Sequence, residues 1–378
     1  MFANFSSQIF LLMIFYLAQS FKEILNMNEP LNRRSFSSKV LSAPFYSLNA
    51  LSAFSSSNEP TEKMTVVITG ASSGIGLDAA TKLSSMGQDV HILCRTLAKG
   101  KEAALKSGAK GYFECDLSSL QSVRSFAEEW GDKPIDVLCL NAGTAPATKG
   151  KCQYTSEGFE MAVGTNHMGH FLLSQLLLGN MGKSRVENPR LVVTASSVHD
   201  PDTPGGDVGS KATLGDLRGL KSYLEGDKTF DMVDGAQYDG DKSYKDSKLC
   251  NVLFTLEMER RLRASGSKVR ANCFSPGLIT STGLFRNQNP IFVNIFGFAA
   301  TNVLRVATSI SQGGDNLISM IFDGDLGETG GLFVANDPGK PSSPFSPKEP
   351  SKEAKNMDLA SALWDLSEKC VELKSKVK

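Results

Sequence analysis

The string TVVITGASSGIG, Thr65 to Gly76, constrains the fold more than any other part of the chain. Thr65 to Thr69 is a short β-branched run, as in a strand buried on both faces of a parallel sheet. The segment GASSGIG follows directly, and LDAATKLSSMG then reads as a helix closing on Gly87. Glycines here let the backbone turn tightly and approach a ligand closely. The helix start beyond them presents unpaired amides that attract a pyrophosphate. A plain strand-to-helix turn would use Ser72 or Ser73 only as a cap. Because the loop both ends a strand and opens a helix, it reads as a dinucleotide site formed by Gly70, Ser72, Ser73, Gly74, Ile75 and Gly76.

Strand-like runs recur at DVHILC, GYFECD, DVLCLNAG and RLVVTAS, separated by helical stretches. This alternation predicts an α/β fold: a doubly wound parallel sheet with right-handed crossovers and helices on both faces. With 378 residues, 41% of them hydrophobic, the chain can bury one large core or two modest ones. Its 40 basic and 40 acidic side chains balance, which gives no electrostatic reason to expect a nucleic-acid partner. The seven cysteines show no C-x-x-C spacing and several sit in apolar runs. They read as buried free thiols in a reducing compartment.

Residues 1–60 differ in character. IFLLMIFYLA, Ile9 to Ala18, is too short to span a bilayer and suits a signal-peptide core. Between Pro30 and Asn58 there is no acidic residue, but Arg33, Arg34, Lys39 and nine serines occur, the composition of a transit peptide. The two together resemble the bipartite leaders of plastids acquired by secondary endosymbiosis, and so imply a plastid (chloroplast) destination. A disordered arm with a membrane-anchoring patch is the other reading, which leaves peripheral membrane association open. Residues 61–340 read as the dinucleotide-binding domain, with an insert at 198–243. Residues 341–378 read as a linker and an amphipathic helix that docks on the domain or on a second copy of the chain.

The stretch SYKDSKLCN places Tyr244 and Lys248 four residues apart, which stacks them on one helix face. Taken alone, such a pair is usually a solvated helix edge; an ammonium close to the phenol would favour phenolate and pull the tyrosine pKa down. At the end of the second strand, HILCRTLAKGK puts Arg95 where an acidic residue would hold the ribose of NAD, with Lys99 one turn on. Arginine there suits a 2′-phosphate, so the cofactor reads as NADPH.

The glycine spacing of TGASSGIG, Asp116 after the third strand, Asn141 to Gly143 after the fourth, Asn166, Ser197, Tyr244 and Lys248 together resemble the short-chain dehydrogenase/reductase family. That resemblance covers Thr65 to Asn336 and implies a Rossmann fold. It implies that Tyr244 handles the substrate proton, Lys248 bonds the nicotinamide ribose, Ser197 holds a substrate carbonyl and Asn166 orders a relay water. It adds Asp116, Leu117, Asn141, Ala142, Gly143, Pro276 and Gly277 to the cofactor contacts.

Within that family, the strings ATLGDLRGL, GTNHMGHFLLSQLLL and TGLFRNQNPIF resemble the light-dependent protochlorophyllide oxidoreductases. The implied reaction is hydride transfer from NADPH to C17 of the photoexcited pigment, with Tyr244 helping to protonate C18. The substrate pocket would involve Ser275, Leu278, Phe285 and Arg286, with Arg286 or Lys245 facing the pigment carboxylate. Phenylalanines at 285, 292, 296 and 298 could line a pocket for a flat apolar macrocycle, or simply form a core helix. Two features depart from that branch. SPGL puts Ser275 and Leu278 where it has tyrosine and cysteine, and Ser197 stands where it lacks the usual serine. These favour a dark carbonyl reductase of retinol-dehydrogenase type acting on another large apolar molecule; loss of turnover altogether would leave an NADPH- and pigment-binding protein. His167 and His170 share a helix face but have no third ligand at sensible spacing, so no metal is expected.

Overall fold

The computed structural model describes residues 63–147, 150–280, 300–301 and 304–372. The leader read at 1–60 and most of the aromatic stretch after β6 lie outside them. In chain order the elements are β1 (Thr65–Thr69), α1 (Gly74–Ser85), β2 (Asp89–Cys94), α2 (Leu97–Ser107), β3 (Gly111–Glu114), α3 (Leu120–Trp130) and β4 (Val137–Leu140). A π-helical turn (Gly164–Met168) then leads into α4 (Gly169–Gly182), β5 (Arg190–Thr194), α5 (Arg218–Glu225), α6 (Gly240–Ala264) and β6 (Arg270–Phe274). Last come α7 (Ile310–Phe322), β7 (Phe333–Ala335), β8 (Ser346–Lys348) and α8 (Met357–Cys370).

The strands form one sheet in the order β3-β2-β1-β4-β5-β6-β7-β8. Strands β1 to β7 run parallel and β8 returns antiparallel to β7. The order reverses between β1 and β4, where loops leaving the carboxyl ends part and open a crevice. This is the doubly wound sheet that the strand–helix alternation predicts.

Both faces are covered, which is why the strands read as continuous apolar runs. Val67, Leu138 and Leu140 face one core with Phe126 of α3, Phe171 of α4 and Phe254 of α6. Val66, Ile68 and Cys139 face the other with Leu83 of α1, Ala103 of α2 and Leu317 of α7. Each such valine or isoleucine contributes about 1.5–3 kcal/mol by leaving water. All seven cysteines are free and six are buried, as their apolar settings imply.

The insert and the carboxyl-terminal segment meet. Leu214, Leu217 and Leu220 of LGDLRGL are buried in the core. The amide of Thr213 donates to Asp246 at 3.0 Å and that of Leu214 to Glu353 at 2.7 Å. Helix α8 lies on α6: the Trp364 ring stacks on Phe254 with centroids 6.0 Å apart, and Arg261 lies 4.6 Å over Trp364. Among the described residues no helix is long and apolar enough to cross a membrane.

Candidate active site

Turns from the carboxyl ends of β1, β2, β3, β4 and β6 converge at the switch point. Gly70 adopts φ 68°, and a Cβ there would stand 2.6 Å from Ala142 Cα. A Cβ on Gly76 would stand 2.7 Å from Asn141 Nδ2 and 2.8 Å from the Gly70 carbonyl. The β1 turn therefore presses against the β4 loop with no space for side chains. Ser73 is the N-cap of α1 but makes no side-chain cap bond. The first-turn amides of α1 are thus left for a ligand, the donor set a pyrophosphate requires.

At the β2 end, Arg95 is half-exposed and its Nε lies 3.9 Å from Asp116 Oδ1. Lys99 sits in the first turn of α2, where its amide donates to Thr96 Oγ1 at 3.4 Å. Asp116 turns into its own loop and accepts from Ser118 N at 3.0 Å and Ser118 Oγ at 2.7 Å. Asn141 Nδ2 donates to the Thr69 carbonyl at 3.0 Å. Gly277, at φ 89°, packs so close to Thr308 that a Cβ would come within 2.2 Å of its Oγ1. Every residue assigned to the cofactor from sequence lines this one cleft: the glycine turn, Arg95, Lys99, Asp116, Leu117, Asn141 to Gly143, Tyr244, Lys248, Pro276 and Gly277. The glycine cradle, the free helix amides and the two cations at the far end fit a phosphorylated dinucleotide.

Helix α6 carries the Tyr244–Lys248 pair. Asp239 caps it, accepting from Asp241 N at 2.9 Å and Lys242 N at 3.2 Å. Tyr244 and Lys248 follow one turn apart, both on the cleft wall. Lys248 Nζ lies 5.7 Å from the Tyr244 ring centre and donates to the Thr194 carbonyl at 3.0 Å. Burial pushes the Lys248 ammonium down to about 8. Burial also pushes the Tyr244 phenol above its ordinary range, against a smaller opposing pull from its hydrogen bond with Ser196. This corrects the expectation that the ammonium lowers the tyrosine pKa. Lys248 faces the ring and a carbonyl, so desolvation of the hydroxyl prevails. The phenol stays protonated.

Ser197 is not where the sequence reading put it. The side chain beside Tyr244 and on the cleft wall belongs to Ser196. Ser197 begins a short 3-10 turn, and its amide donates to Ser275 Oγ at 3.1 Å. Ser196 remains extended (φ −166°, ψ 148°), so strand alternation carries on past β5 and keeps Thr194 and Ser196 on one face. That alternation was the available signal for Ser196. Thr165 and Ile279 also line the cleft and carried no such signal.

Asn166 lies in the π-turn and its side chain is occupied. Oδ1 accepts from Thr144 N at 2.8 Å, while Nδ2 donates to the Thr144 carbonyl and Ser247 Oγ, each at 2.9 Å. It ties the β4 loop to α6. Ser275 is buried beside Ser197 and does not line the cleft described above. Leu278 pairs with Ala307 as an isolated bridge, its carbonyl accepting from Thr308 N at 2.8 Å. Phe285 and Arg286 lie outside the described residues. Lys245 cannot serve a pigment carboxylate as suggested: it is 3% exposed, donates to the Ser210 carbonyl at 2.9 Å and the Val208 carbonyl, and pairs with Asp241. His167 and His170 turn apart, to Ser367 Oγ at 2.9 Å and Thr69 Oγ1 at 2.8 Å. Among the described residues no cluster of His, Cys, Asp and Glu could hold a metal ion.

Residues 64–207 match the family described as short chain dehydrogenase. A protochlorophyllide reductase from Daucus carota is 39% identical over 318 residues, covering 82% of this chain and 79% of that protein. The chain belongs to the short-chain dehydrogenase family. A protochlorophyllide reductase from Avena sativa is 40% identical, over 82% of this chain and 99% of its own length. A protochlorophyllide reductase A from Arabidopsis thaliana is 38% identical, over 82% and 77%. Among solved structures, an uncharacterised protein from Mycobacterium Paratuberculosis superposes with a TM-score of 0.59 at 30% identity, covering 82% of this chain and 93% of that one. An NADP complex of RhlG from Pseudomonas aeruginosa gives a TM-score of 0.54 at 19% identity, over 74% and 96%, and shares the fold. This short-chain dehydrogenase is an oxidoreductase, and its Tyr244–Lys248 pair stands on the helix that faces the cleft.

Proposed function

We propose that this short-chain dehydrogenase is an NADPH-dependent protochlorophyllide reductase that acts under light in a plastid. The observation that carries the reading is identity of 38–40% to proteins named protochlorophyllide reductase across 82% of the chain. The chloroplastic names of the Daucus carota and Arabidopsis thaliana relatives, together with the transit-peptide composition of residues 30–58, support the location.

The side chains are suited to the reaction. The amides of the α1 start would hold the pyrophosphate, Arg95 and Lys99 the 2′-phosphate, and Lys248 the ribose. Reducing a carbon–carbon double bond takes a hydride and a proton, and the nicotinamide supplies the hydride when bound. Tyr244 retains its proton at neutral pH and holds it at the cleft wall, with Ser196 as hydrogen-bond partner. The test is reduction of protochlorophyllide by the purified protein with NADPH, in light and in darkness.

A second reading is favoured by the loop after β6. Leu278 there has no hydroxyl or thiol to offer a pigment, and Ser196 beside Tyr244 could hold a carbonyl oxygen. This reading makes the protein a dark NADPH-dependent reductase of a large apolar aldehyde or ketone.

A further inference from the structure

His170 stands one turn beyond Asn166, 2% exposed, at the start of α4. Each ring nitrogen has one partner. Nδ1 lies 3.0 Å from the Asn166 carbonyl, and Nε2 lies 2.8 Å from Thr69 Oγ1. A carbonyl only accepts, so Nδ1 carries the hydrogen. Thr69 Oγ1 receives the amide of Asn141 at 2.8 Å and that of Ala142 at 2.9 Å, which fills both of its lone pairs. Its single hydrogen has two acceptors within reach: His170 Nε2 at 2.8 Å and the Cys139 carbonyl at 3.4 Å. The shorter bond requires an Nε2 without hydrogen. A hydrogen on Nε2 would be a third donor aimed at two filled lone pairs.

We propose that His170 is a positioning residue: as a neutral imidazole protonated on Nδ1, it directs the Thr69 hydroxyl and so holds the Asn141–Ala142 backbone at the cofactor cleft. Burial agrees with a neutral ring, pushing its pKa down to about 4, with Lys248 adding to that shift. The held segment tolerates little movement. Asn141 Nδ2 and Ala142 Cα are the atoms that fill the spaces over Gly76 and Gly70. Without the histidine, the threonine hydrogen can rotate towards Cys139 and the lone pairs turn away from the two amides. The other arm of the ring ends on Asn166, so the same histidine links the π-turn to the dinucleotide turn.

The inference rests on the reading that the cleft binds NADPH. The experiment measures NADPH dissociation constants for the full chain, His170→Phe, Thr69→Val and the double variant, with the Tm of each. His170→Phe should weaken NADPH about tenfold, the scale of one misdirected buried hydrogen bond. In the Thr69→Val background the same change should add almost nothing, because its route is already cut. Losses that multiply, or unchanged affinity in His170→Phe, would overturn the proposal. Should His170→Phe not fold, His170→Gln takes its place in the same cycle. Nitrogen-15 spectra of histidine-labelled protein give a second readout that needs no cofactor. The resonance pair absent from His170→Gln should show a protonated Nδ1 and a bare Nε2. A doubly protonated ring, or hydrogen on Nε2, contradicts the proposal. Failure of the wild-type chain to bind NADPH would instead sink the cofactor reading and leave the tautomer assignment to be judged on the spectra.

Discussion

Lys248 sets its ammonium 5.7 Å from the centre of the Tyr244 ring and directs a hydrogen bond of 3.0 Å to the Thr194 carbonyl, not to the phenol. The lysine is thereby fixed between α6 and the end of β5, on the wall of the cleft. The tyrosine keeps its proton. The arrangement suits proton donation to a reduced substrate, with the lysine free to bind a cofactor ribose.

Tyr244→Phe retains the ring and its packing but removes the proton. NADPH affinity should stay near the wild-type value while turnover falls about a hundredfold or more, the scale of a lost general acid. Stopped-flow binding and steady-state rates on the same preparation check this. Near-normal turnover would remove Tyr244 from the reaction.

The Lys248 charge should leave its mark on the pH profile. Burial lowers its pKa from 10.5 to about 8, so the ammonium is complete below that pH and lost above it. NADPH affinity of the free protein should therefore be level below about pH 8 and decline above it. The stability effect has the opposite sense. Between pH 8 and 10.5 the unfolded chain still binds the proton that the folded chain has released, so stability gains with rising pH in that window. Lys248→Arg should move the decline in affinity to higher pH; an unmoved decline assigns it to another group.

Arg95→Asp should separate the two nicotinamide cofactors. The side chain is 52% exposed, so solvent screening limits the loss to roughly 1–3 kcal/mol for NADPH. NADH affinity should change little. Equal losses for both, by titration calorimetry, would show that Arg95 does not read the 2′-phosphate.

Ser196→Ala and Ser197→Ala distinguish the two serines. The first removes the partner of Tyr244 and should lower kcat by roughly tenfold, with KM for NADPH unchanged. The second should leave kcat within about twofold, because the Ser197 amide and not its hydroxyl makes the bond to Ser275. The reverse ranking would restore Ser197 as the catalytic serine.

Features set by local pattern were readable in the sequence. β1 showed itself by β-branched residues, the turn by glycines that leave no space for a Cβ, and the Tyr244–Lys248 pair by helical spacing. Ser196 was hidden because choosing between adjacent serines requires knowing that extended backbone continues past Thr194. The Tyr244 pKa was misread because spacing places an ammonium near the ring but says nothing of desolvation. The amphipathic pattern of α8 foretold a packed face; that its Trp364 meets Phe254 and Arg261 depends on contacts far apart in the chain. Lys245 was named for a ligand because nothing local reveals that carbonyls of the insert already surround it.

The most direct test is the absorbance spectrum of purified protein, NADPH and protochlorophyllide before and after a light pulse, with a dark control. A red-shifted chlorophyllide band should appear only after light and only with NADPH. Leu278→Cys is run beside it to learn whether the loop after β6 limits conversion. No band after light in either chain, together with dark oxidation of NADPH by an apolar aldehyde or ketone, would contradict the account and establish a carbonyl reductase in its place.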